Sequence, residues 1–252
     1  MKSKLTTLKE AISVIKDGDM VAIGGIGQNK VPIEAVKEIV RQGKKNLHIV
    51  GREKGIDFEI LIANGCVKKV SSAYVGLEEF GLANNFRKAC ENGEIEFLEH
   101  TCGSIINALR AGAMGIPFIP IKGLYGSDLL KVRKDFKEFV CPFTGEKLVL
   151  IPAINPDVCI IHAHESDEFG NIRSYGTRFE DVLMVKASKI SIVTVERIIP
   201  QKEIRKEPEK TTIPYFYVNY VCEVPGGAKP TSLFGEYPVD REMMKKLIKG
   251  GM

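Results

Sequence analysis

The segment from residue 17 to residue 32, DGDMVAIGGIGQNKVP, predicts a buried strand that runs into a glycine turn. Met20–Ile23 is a short apolar run, as expected of a strand inside a sheet. Gly24, Gly25 and Gly27 follow it. Because glycine has no side chain, the backbone can turn sharply there and a ligand can approach it closely. The segment therefore constrains the chain to a βα unit with a candidate ligand site at its turn.

A helix is expected directly after the turn. Pro32 suits the first position of a helix, and apolar residues follow at helical spacing, at Ile33, Val36, Ile39 and Val40. Backbone N–H groups at such a helix start can hold a carboxylate or a phosphate. We expect the turn to bind substrate through Gly24, Gly25, Gly27, Gln28 and Asn29. A tight turn with no ligand explains the glycines equally well.

Strand and helix patterns alternate along the rest of the chain, without repeats or a linker. The expected strands cover residues 20–23, 47–50, 67–73, 95–98, 148–151, 158–162 and 190–195. The expected helices cover residues 56–63, 78–91 and 104–113, besides the helix after Pro32 and an N-terminal helix with Leu5, Leu8, Ile12 and Ile15 on one face. Residues 125–146 and the chain after Pro200 are expected to be irregular. The pattern predicts one α/β domain over residues 1–252, with a single open, mainly parallel sheet and helices on both faces.

Composition fits a globular protein and excludes some partners. A chain of 252 residues with 44% apolar and 27% charged residues can bury a large core. The net charge of +4 is spread thinly, which argues against nucleic acid as a partner. The charge-interrupted N-terminus predicts neither a membrane segment nor secretion, so we expect a cytoplasmic protein.

The sequence does not predict a metal site. No two cysteines form a Cys-x-x-Cys pair, so we expect reduced structural thiols at Cys66, Cys90, Cys102, Cys141, Cys159 and Cys222. His162 and His164, near Asp167, resemble a metal site at first. A His-x-His pair on a strand still needs a third ligand, to which the sequence does not point.

Glu99 is the strongest candidate for chemistry within this chain. It follows the apolar strand IEFL and should stand at the carboxyl end of that strand, where ligands of parallel sheets gather. A partly desolvated carboxylate there can act as a general base. Equally, Glu99 can cap the next helix, in the turn that also holds His100, Thr101 and Ser104.

Two further residues are substrate-binding candidates. Arg52 directly follows the strand LHIVG, and its planar guanidinium can pair with a substrate carboxylate or be held in a salt bridge. Ser127 lies in the polar cluster GSDL, where it and Asp128 either cap a helix or contact substrate.

The glycine segment resembles the first motif of family I coenzyme A transferases, an acidic residue and glycine, an apolar run, then Gly-Gly and the proline at position 32. Ile26 stands where that motif usually has Phe, and Lys30 where it usually has Gly. The resemblance continues through LRAGAMGIPFIP, GSDL, IPAINPDVCIIHAHESDEFGNI, IVTVE and PGGAKPTS, so it covers nearly the whole chain. Taken together, these segments are similar to the A subunit of the two-subunit transferases of the glutaconate type.

This resemblance implies an enzyme that works only as a hetero-oligomer. In the family a glutamate attacks the acyl-CoA thioester, and it lies in a Ser-Glu-Asn-Gly motif of the homologous B subunit. Here Cys90 precedes Glu91-Asn92-Gly93, which we interpret as the end of a helix rather than a nucleophile. The implied substrates are a coenzyme A thioester and a carboxylic acid, with no tightly bound cofactor.

Two alternative functions remain open from the sequence. The resemblance extends to two-subunit hydrolases that open the ring of a cyclic diketone acyl-CoA with a glutamate of their A subunit, which would be Glu99 here. A non-catalytic ligand-binding module is the second alternative, because a fold does not fix a function. For the turn itself, we expect Gly25→Val to impair substrate use more than stability, since a side chain would occupy the space of the ligand.

Overall fold

In the computed structural model of the chain, residues 2–249 are described. The helices are α1 (Leu8–Ser13), α2 (Ile33–Arg41), α3 (Ile56–Ala63), α4 (Asn84–Glu91), α5 (Cys102–Met114), α6 (Leu129–Val132), α7 (Asp181–Ala187), α8 (Gln201–Lys206) and α9 (Arg241–Lys249). The strands are β1 (Met20–Ile23), β2 (Leu47–Val50), β3 (Glu53–Lys54), β4 (Val67–Ser72), β5 (Tyr74–Val75), β6 (Glu96–Glu99), β7 (Phe118–Ile121), β8 (Lys137–Val140), β9 (Lys147–Pro152), β10 (Val158–Ser166), β11 (Ile172–Arg173), β12 (Ile190–Ile198) and β13 (Tyr220–Glu223). Short 3₁₀ helices cover Glu78–Phe80, Pro208–Lys210 and Tyr215–Tyr217.

The central sheet is open and mainly parallel, as predicted. Its strand order is β13-β12-β10-β1-β2-β4-β6, and all neighbours in this order are parallel. Strand β11 lies antiparallel beside the end of β10. The glycine turn after β1 therefore starts at the centre of the sheet, at the edge where all these parallel strands end.

Two apolar cores cover the two faces of this sheet. Along β1, Val21 and Ile23 belong to one core, whereas Ala22 belongs to the other. Successive side chains of a strand point to opposite faces, so this division shows that both faces are buried. The first core includes the apolar side of α2, and the second includes Leu109 of α5 and Met184 of α7.

A separate antiparallel sheet, with the order β7-β9-β8, was not predicted. The strand expected at residues 148–151 exists as β9, but it pairs with β7 and β8 rather than with the central sheet. Residues 125–146 are therefore not wholly irregular, since they contain α6 and β8. All four residues of β8 are exposed, so its sequence lacks the alternating burial pattern that identifies a strand.

The helix expected at residues 78–91 is divided in two. Residues Glu78–Phe80 form a 3₁₀ turn, and α4 starts only at Asn84. Gly81 interrupts the helix with a φ of 100° and a ψ of −150°, a conformation open essentially to glycine alone. The prediction was wrong because the helical spacing of apolar residues continues across the break.

The start of α1, the start of α2 and the chain after Pro200 differ from expectation. The side chain of Thr7 accepts a hydrogen bond from the amide of Glu10, so α1 starts at Leu8 and leaves Leu5 outside the helix, 44% exposed. Pro32 is the N-cap residue of α2 and not its first helical residue. The chain after Pro200 contains α8, α9 and β13, and β13 pairs with β12 in the central sheet. Within residues 2–249, no helix has both the length and the apolar character that a membrane span requires.

Candidate active site

The parallel strands bring the loops after β1, β2, β4 and β6 to one edge of the central sheet. The glycine turn and Glu99 lie at this edge but not in contact. Strands β2 and β4 lie between β1 and β6, which separates their ends by about 14 Å at the usual strand spacing. Glu53 bridges part of this gap, because its carbonyl accepts the Gly27 amide and its carboxylate lies 3.3 Å from the Cys102 sulfur.

The glycines of the turn are required by the protein itself. Gly25 has a φ of 71° and Gly27 a φ of 51°, which favour glycine. A Cβ atom on Gly25 would lie 2.5 Å from the carbonyl oxygen of Lys30, and one on Gly24 would lie 2.7 Å from a carboxylate oxygen of Asp181. The expectation that Gly25 leaves space for a ligand is therefore wrong, because main chain fills that space. Whether the turn binds substrate through its other surfaces stays a prediction.

Most amides near the turn already have partners. The Gly25 amide donates to Asp181 Oδ1 at 3.1 Å, and the Ile26 amide donates to the Asn29 carbonyl at 3.0 Å. At the start of α2, the Glu34 amide donates to the Gly227 carbonyl at 3.1 Å. The Glu34 amide is thus not free to hold an anion at this helix start.

Two buried lysines, which no sequence pattern singled out, hold the turn. The Lys54 ammonium donates to the carbonyl oxygens of Ile23, Gly24 and Gly25 at 3.1, 2.9 and 3.2 Å. The Lys30 ammonium pairs with Asp181 Oδ2 at 2.9 Å. Lysine is almost never fully buried unless it is paired, and the acceptors described here lie far from each lysine along the chain. For this reason no local sequence pattern distinguishes these two from surface lysines.

Arg52 lies at this edge, but its charge is already compensated. Its Nε lies 2.8 Å from Glu180 and its Nη1 3.3 Å from Glu53. Burial raises the pKa of the Glu180 carboxyl, and the neighbouring Arg52 charge partly offsets this rise. A substrate carboxylate could bind Arg52 only by sharing it with these acids.

The two polar side chains at the tip of the turn differ in their surroundings. Gln28 donates from its side-chain amide to Glu79 at 2.6 Å. Asn29 borders an open depression of about 430 Å³, which is also lined by Ser232 and residues 233–238. Asn29 is thus a predicted turn residue that borders a cavity.

Glu99 ends β6 with its side chain exposed. It does not cap α5, because the Thr101 side chain accepts the Ser104 amide in a capping box. Arg133 holds the main chain here by donating to the Glu99 carbonyl at 2.6 Å. No residue among 2–249 is hydrogen-bonded to the Glu99 carboxylate, which leaves it accessible to a substrate or partner.

Ser127 lies in the loop directly before α6. Its main chain is hydrogen-bonded to Leu124 and Leu130, beside the small antiparallel sheet. Its hydroxyl oxygen is buried without a hydrogen-bond partner among residues 2–249. Asp128 is the N-cap residue of α6 but makes no side-chain cap bond, so the predicted cap is wrong, whereas substrate contact by Ser127 stays a prediction.

The histidines of β10 are engaged in hydrogen bonds within the protein. His162 contacts Thr194 and Glu196, both at 2.8 Å, and Glu196 also accepts the Tyr237 hydroxyl at 2.7 Å. Burial would raise the pKa of Glu196, but the hydrogen bonds from His162, from the Gly226 amide and from Tyr237 outweigh it and lower the pKa to about 2. No group of three or more His, Cys, Asp or Glu side chains in the described chain is arranged to hold a metal ion.

Glu91 occupies the position expected from the sequence, the end of α4. Asn92 is the C-cap residue, and Gly93 continues with a φ of 68°. The Glu91 carboxylate forms an exposed ion pair with Arg87 at 3.2 Å. These contacts are those of an ordinary helix end.

The chain is similar to known proteins over nearly its whole length. Residues 5–224 match the Coenzyme A transferase family. The A subunit of the 3-oxoadipate CoA-transferase of Pseudomonas knackmussii is 36% identical, over 94% of this chain and 85% of that protein. The A subunit of the glutaconate CoA-transferase of Acidaminococcus fermentans is 37% identical, over 96% of this chain and 82% of that protein. A protein of Archaeoglobus fulgidus is 40% identical over 98% of this chain, which spans only 56% of that relative's length.

A solved structure of the same family has the same fold. The crystal structure of the Acidaminococcus fermentans glutaconate coenzyme A-transferase superposes with a TM-score of 0.92 and covers 96% of this chain and 82% of its own. Among the relatives by sequence, a more distant one is a subunit of a cholesterol ring-cleaving hydrolase of Mycobacterium tuberculosis, which is 27% identical over 97% of this chain and 87% of that protein.

Proposed function

Because this chain belongs to the coenzyme A transferase family, we propose that it is the A subunit of an enzyme that moves coenzyme A from an acyl-CoA thioester to a free carboxylate. The observation that carries the proposal is the match to two A subunits of such transferases at 36% and 37% identity over nearly the whole chain. Family membership favours an enzyme subunit over a non-catalytic binding module.

The proposal needs a partner subunit. Relatives of this chain are named as A subunits, which implies a B subunit beside each of them. The one Glu-Asn-Gly sequence of this chain ends α4, with Glu91 in a surface ion pair. We therefore assign the nucleophilic glutamate to a homologous B subunit.

The proposed reaction exchanges acyl bonds without an external oxidant or reductant. The partner's carboxylate attacks the thioester carbonyl, the coenzyme A thiolate leaves, and an acyl–enzyme anhydride forms. The thiolate then attacks the glutamyl carbonyl and releases the first acid, after which the second acid reverses the two steps. In this scheme the turn tip at Gln28 and Asn29, together with Arg52, binds and orients the acyl group.

The two named transferase relatives have nearly equal identity to this chain but act on different acids, 3-oxoadipate and glutaconate. We also place the complex in the cytoplasm, which agrees with six cysteines present as free thiols.

A ring-opening hydrolase is the second candidate function. The exposed Glu99 carboxylate at the end of β6 favours it, since a general base must be able to reach water or substrate. The 27% identical hydrolase subunit is its sequence support. The two functions differ in whether a free acid is required and in what Glu99 does.

The decisive experiment uses the complex reconstituted with a partner that contains a Ser-Glu-Asn-Gly motif. We expect coenzyme A exchange only when a free carboxylate acceptor is present, and none from the isolated chain. Glu99→Gln should raise KM more than it lowers kcat, because the nucleophile is on the partner. Glu91→Gln, at an exposed helix end, is the matched control and should leave both constants unchanged.

The hydrolase alternative makes the opposite prediction. Acyl-CoA would be consumed without an acceptor, and Glu99→Gln would lower kcat by about a hundredfold or more, as expected when a general base is lost. Turnover by the isolated chain would also contradict the proposed function.

A further inference from the structure

The glycine turn is held from its inner side by one buried ammonium group. Lys54 is 0% exposed, and its Nζ is hydrogen-bonded to three consecutive carbonyl oxygens, those of residues 23, 24 and 25. Asp57, also 0% exposed, pairs with the same Nζ at 2.8 Å. Because three successive peptide planes point their carbonyls at one cation, the start of the turn has little freedom to rotate.

A second buried lysine joins the two ends of the turn. Lys30 is 1% exposed, and its Nζ lies 2.9 Å from Asp181 Oδ2. The other oxygen of the same carboxylate accepts the Gly25 amide at 3.1 Å. Asp181 therefore links residue 25 to residue 30, and the Lys30 ammonium also donates to the Thr177 carbonyl at 3.1 Å and to the Ser174 hydroxyl at 3.3 Å.

The backbone conformation of Lys30 indicates that its side chain stabilises the turn. Lys30 has a φ of 58°, a left-handed conformation that is less favourable for an ordinary residue than a right-handed one. The charged hydrogen bonds of its ammonium offset this cost. A glycine would adopt the backbone more easily but would leave Asp181 as a buried, unpaired charge.

We propose that Lys30 and Lys54 are positioning residues, which set the conformation of the glycine turn and thereby the position of Gln28 and Asn29 at its tip. Neither ammonium reaches the surface at which Asn29 borders the depression, so both act through the main chain. The effect on substrate rests on the proposed transferase function, whereas the effect on the turn does not.

The test compares Lys30→Met and Lys54→Met with a matched control, Lys44→Met. Lys44 also donates to main-chain carbonyls, those of Ser13 and Ile15, but it lies away from the turn. Hydrogen–deuterium exchange of residues 23–31 is measured on the isolated chain, with neither partner nor substrate. We expect exchange about tenfold faster in the two turn variants and unchanged in the control.

The second measurement is kinetic and uses the reconstituted complex, normalised to the number of active sites. KM for the acyl-CoA should rise by about fivefold or more in both turn variants and stay unchanged in Lys44→Met. If thermal stability falls while exchange of the turn and KM match the control, the two lysines are merely structural and the proposal is wrong. If the wild-type complex transfers no coenzyme A, the proposed function fails, and the exchange experiment still decides whether the lysines hold the turn.

A double variant separates lost stability from lost positioning. Lys30→Met with Asp181→Asn removes both buried charges, so thermal stability should recover relative to Lys30→Met alone. Exchange of residues 23–31 should nevertheless remain faster than in the wild type. Recovery of wild-type exchange would contradict a positioning role for Lys30. Lys54→Met with Asp57→Asn, which removes the other buried pair, makes the same comparison for Lys54 if Lys54→Met alone does not fold.

Discussion

Gly25 and Gly43 both have a left-handed backbone, but their surroundings differ. Gly25 has a φ of 71° and Gly43 a φ of 64°. A Cβ on Gly25 would lie 2.5 Å from the Lys30 carbonyl oxygen, whereas one on Gly43 would meet nothing within 4 Å. A main-chain atom cannot move aside as a flexible side chain can, so the same mutation has different costs at the two positions.

We expect Gly25→Ala to destabilise the chain much more than Gly43→Ala. The strained backbone conformation costs about 1–3 kcal/mol in both variants, and the main-chain clash adds to it only at Gly25. Urea unfolding of the two variants measures the difference. Equal losses would show that the Lys30 main chain can move away from residue 25 and that the clash adds no cost.

Among the single elements, α4 depends on a carboxylate from another helix. No side chain of its own caps the start of α4. Glu59 of α3 is buried and accepts the Phe86 amide with Oε1 at 2.7 Å and the Asn85 amide with Oε2 at 3.1 Å. A carboxylate at a helix start satisfies amides that lack partners within the helix and is favoured by the helix dipole.

Glu59→Gln should destabilise the chain by about 1–3 kcal/mol, because the new NH₂ group faces an amide donor and leaves it unsatisfied. Glu91→Gln at the opposite end of α4 is the matched control. Its carboxylate is exposed in a surface ion pair, so we expect a change below about 0.5 kcal/mol. Both values come from urea unfolding, and a Glu59→Gln loss as small as that of the control would contradict the capping role.

Across the molecule as a whole, the central sheet and the small antiparallel sheet meet around His100. Arg133 donates to the Glu99 carbonyl and binds Asp135 through two nitrogens. His100, which is 4% exposed, contacts Ser104 at 3.0 Å and packs edge-on against Phe136. Burial and the nearby Arg133 charge lower the pKa of His100 from 6.5 to about 3.

Stability should therefore decrease as the pH falls below 6.5, since unfolded His100 binds a proton and folded His100 does not. The loss continues to about pH 3, with a limiting slope of about 1.4 kcal/mol per pH unit for one such histidine. His48, whose pKa is lowered to about 4 by burial and Lys69, acts in the same direction. His100→Asn should reduce the slope measured by urea unfolding from about pH 7 to pH 5. An unchanged slope would show that folding does not lower the pKa of His100.

Local sequence patterns are enough to predict the central elements and the class of fold. The bounds of β1, β2 and α3 agree with those predicted, because short apolar runs indicate buried strands and a longer, mostly apolar segment indicates a buried helix. The parallel sheet follows from the alternation of these patterns. Family and subunit type followed from motifs along the chain, and the comparisons confirm both.

The support of the turn and the pairing of the remaining segments depend instead on contacts between distant parts of the chain. Strand β8 is defined by its partner β9, and Lys30, Lys54 and Glu59 are buried because acceptors or donors distant in sequence surround them. Asp181, the partner of Lys30, follows it by about 150 residues, and β13 finds its place only beside β12. A local pattern records the spacing of apolar residues along one element, but it carries no information on which polar groups the folded chain brings together.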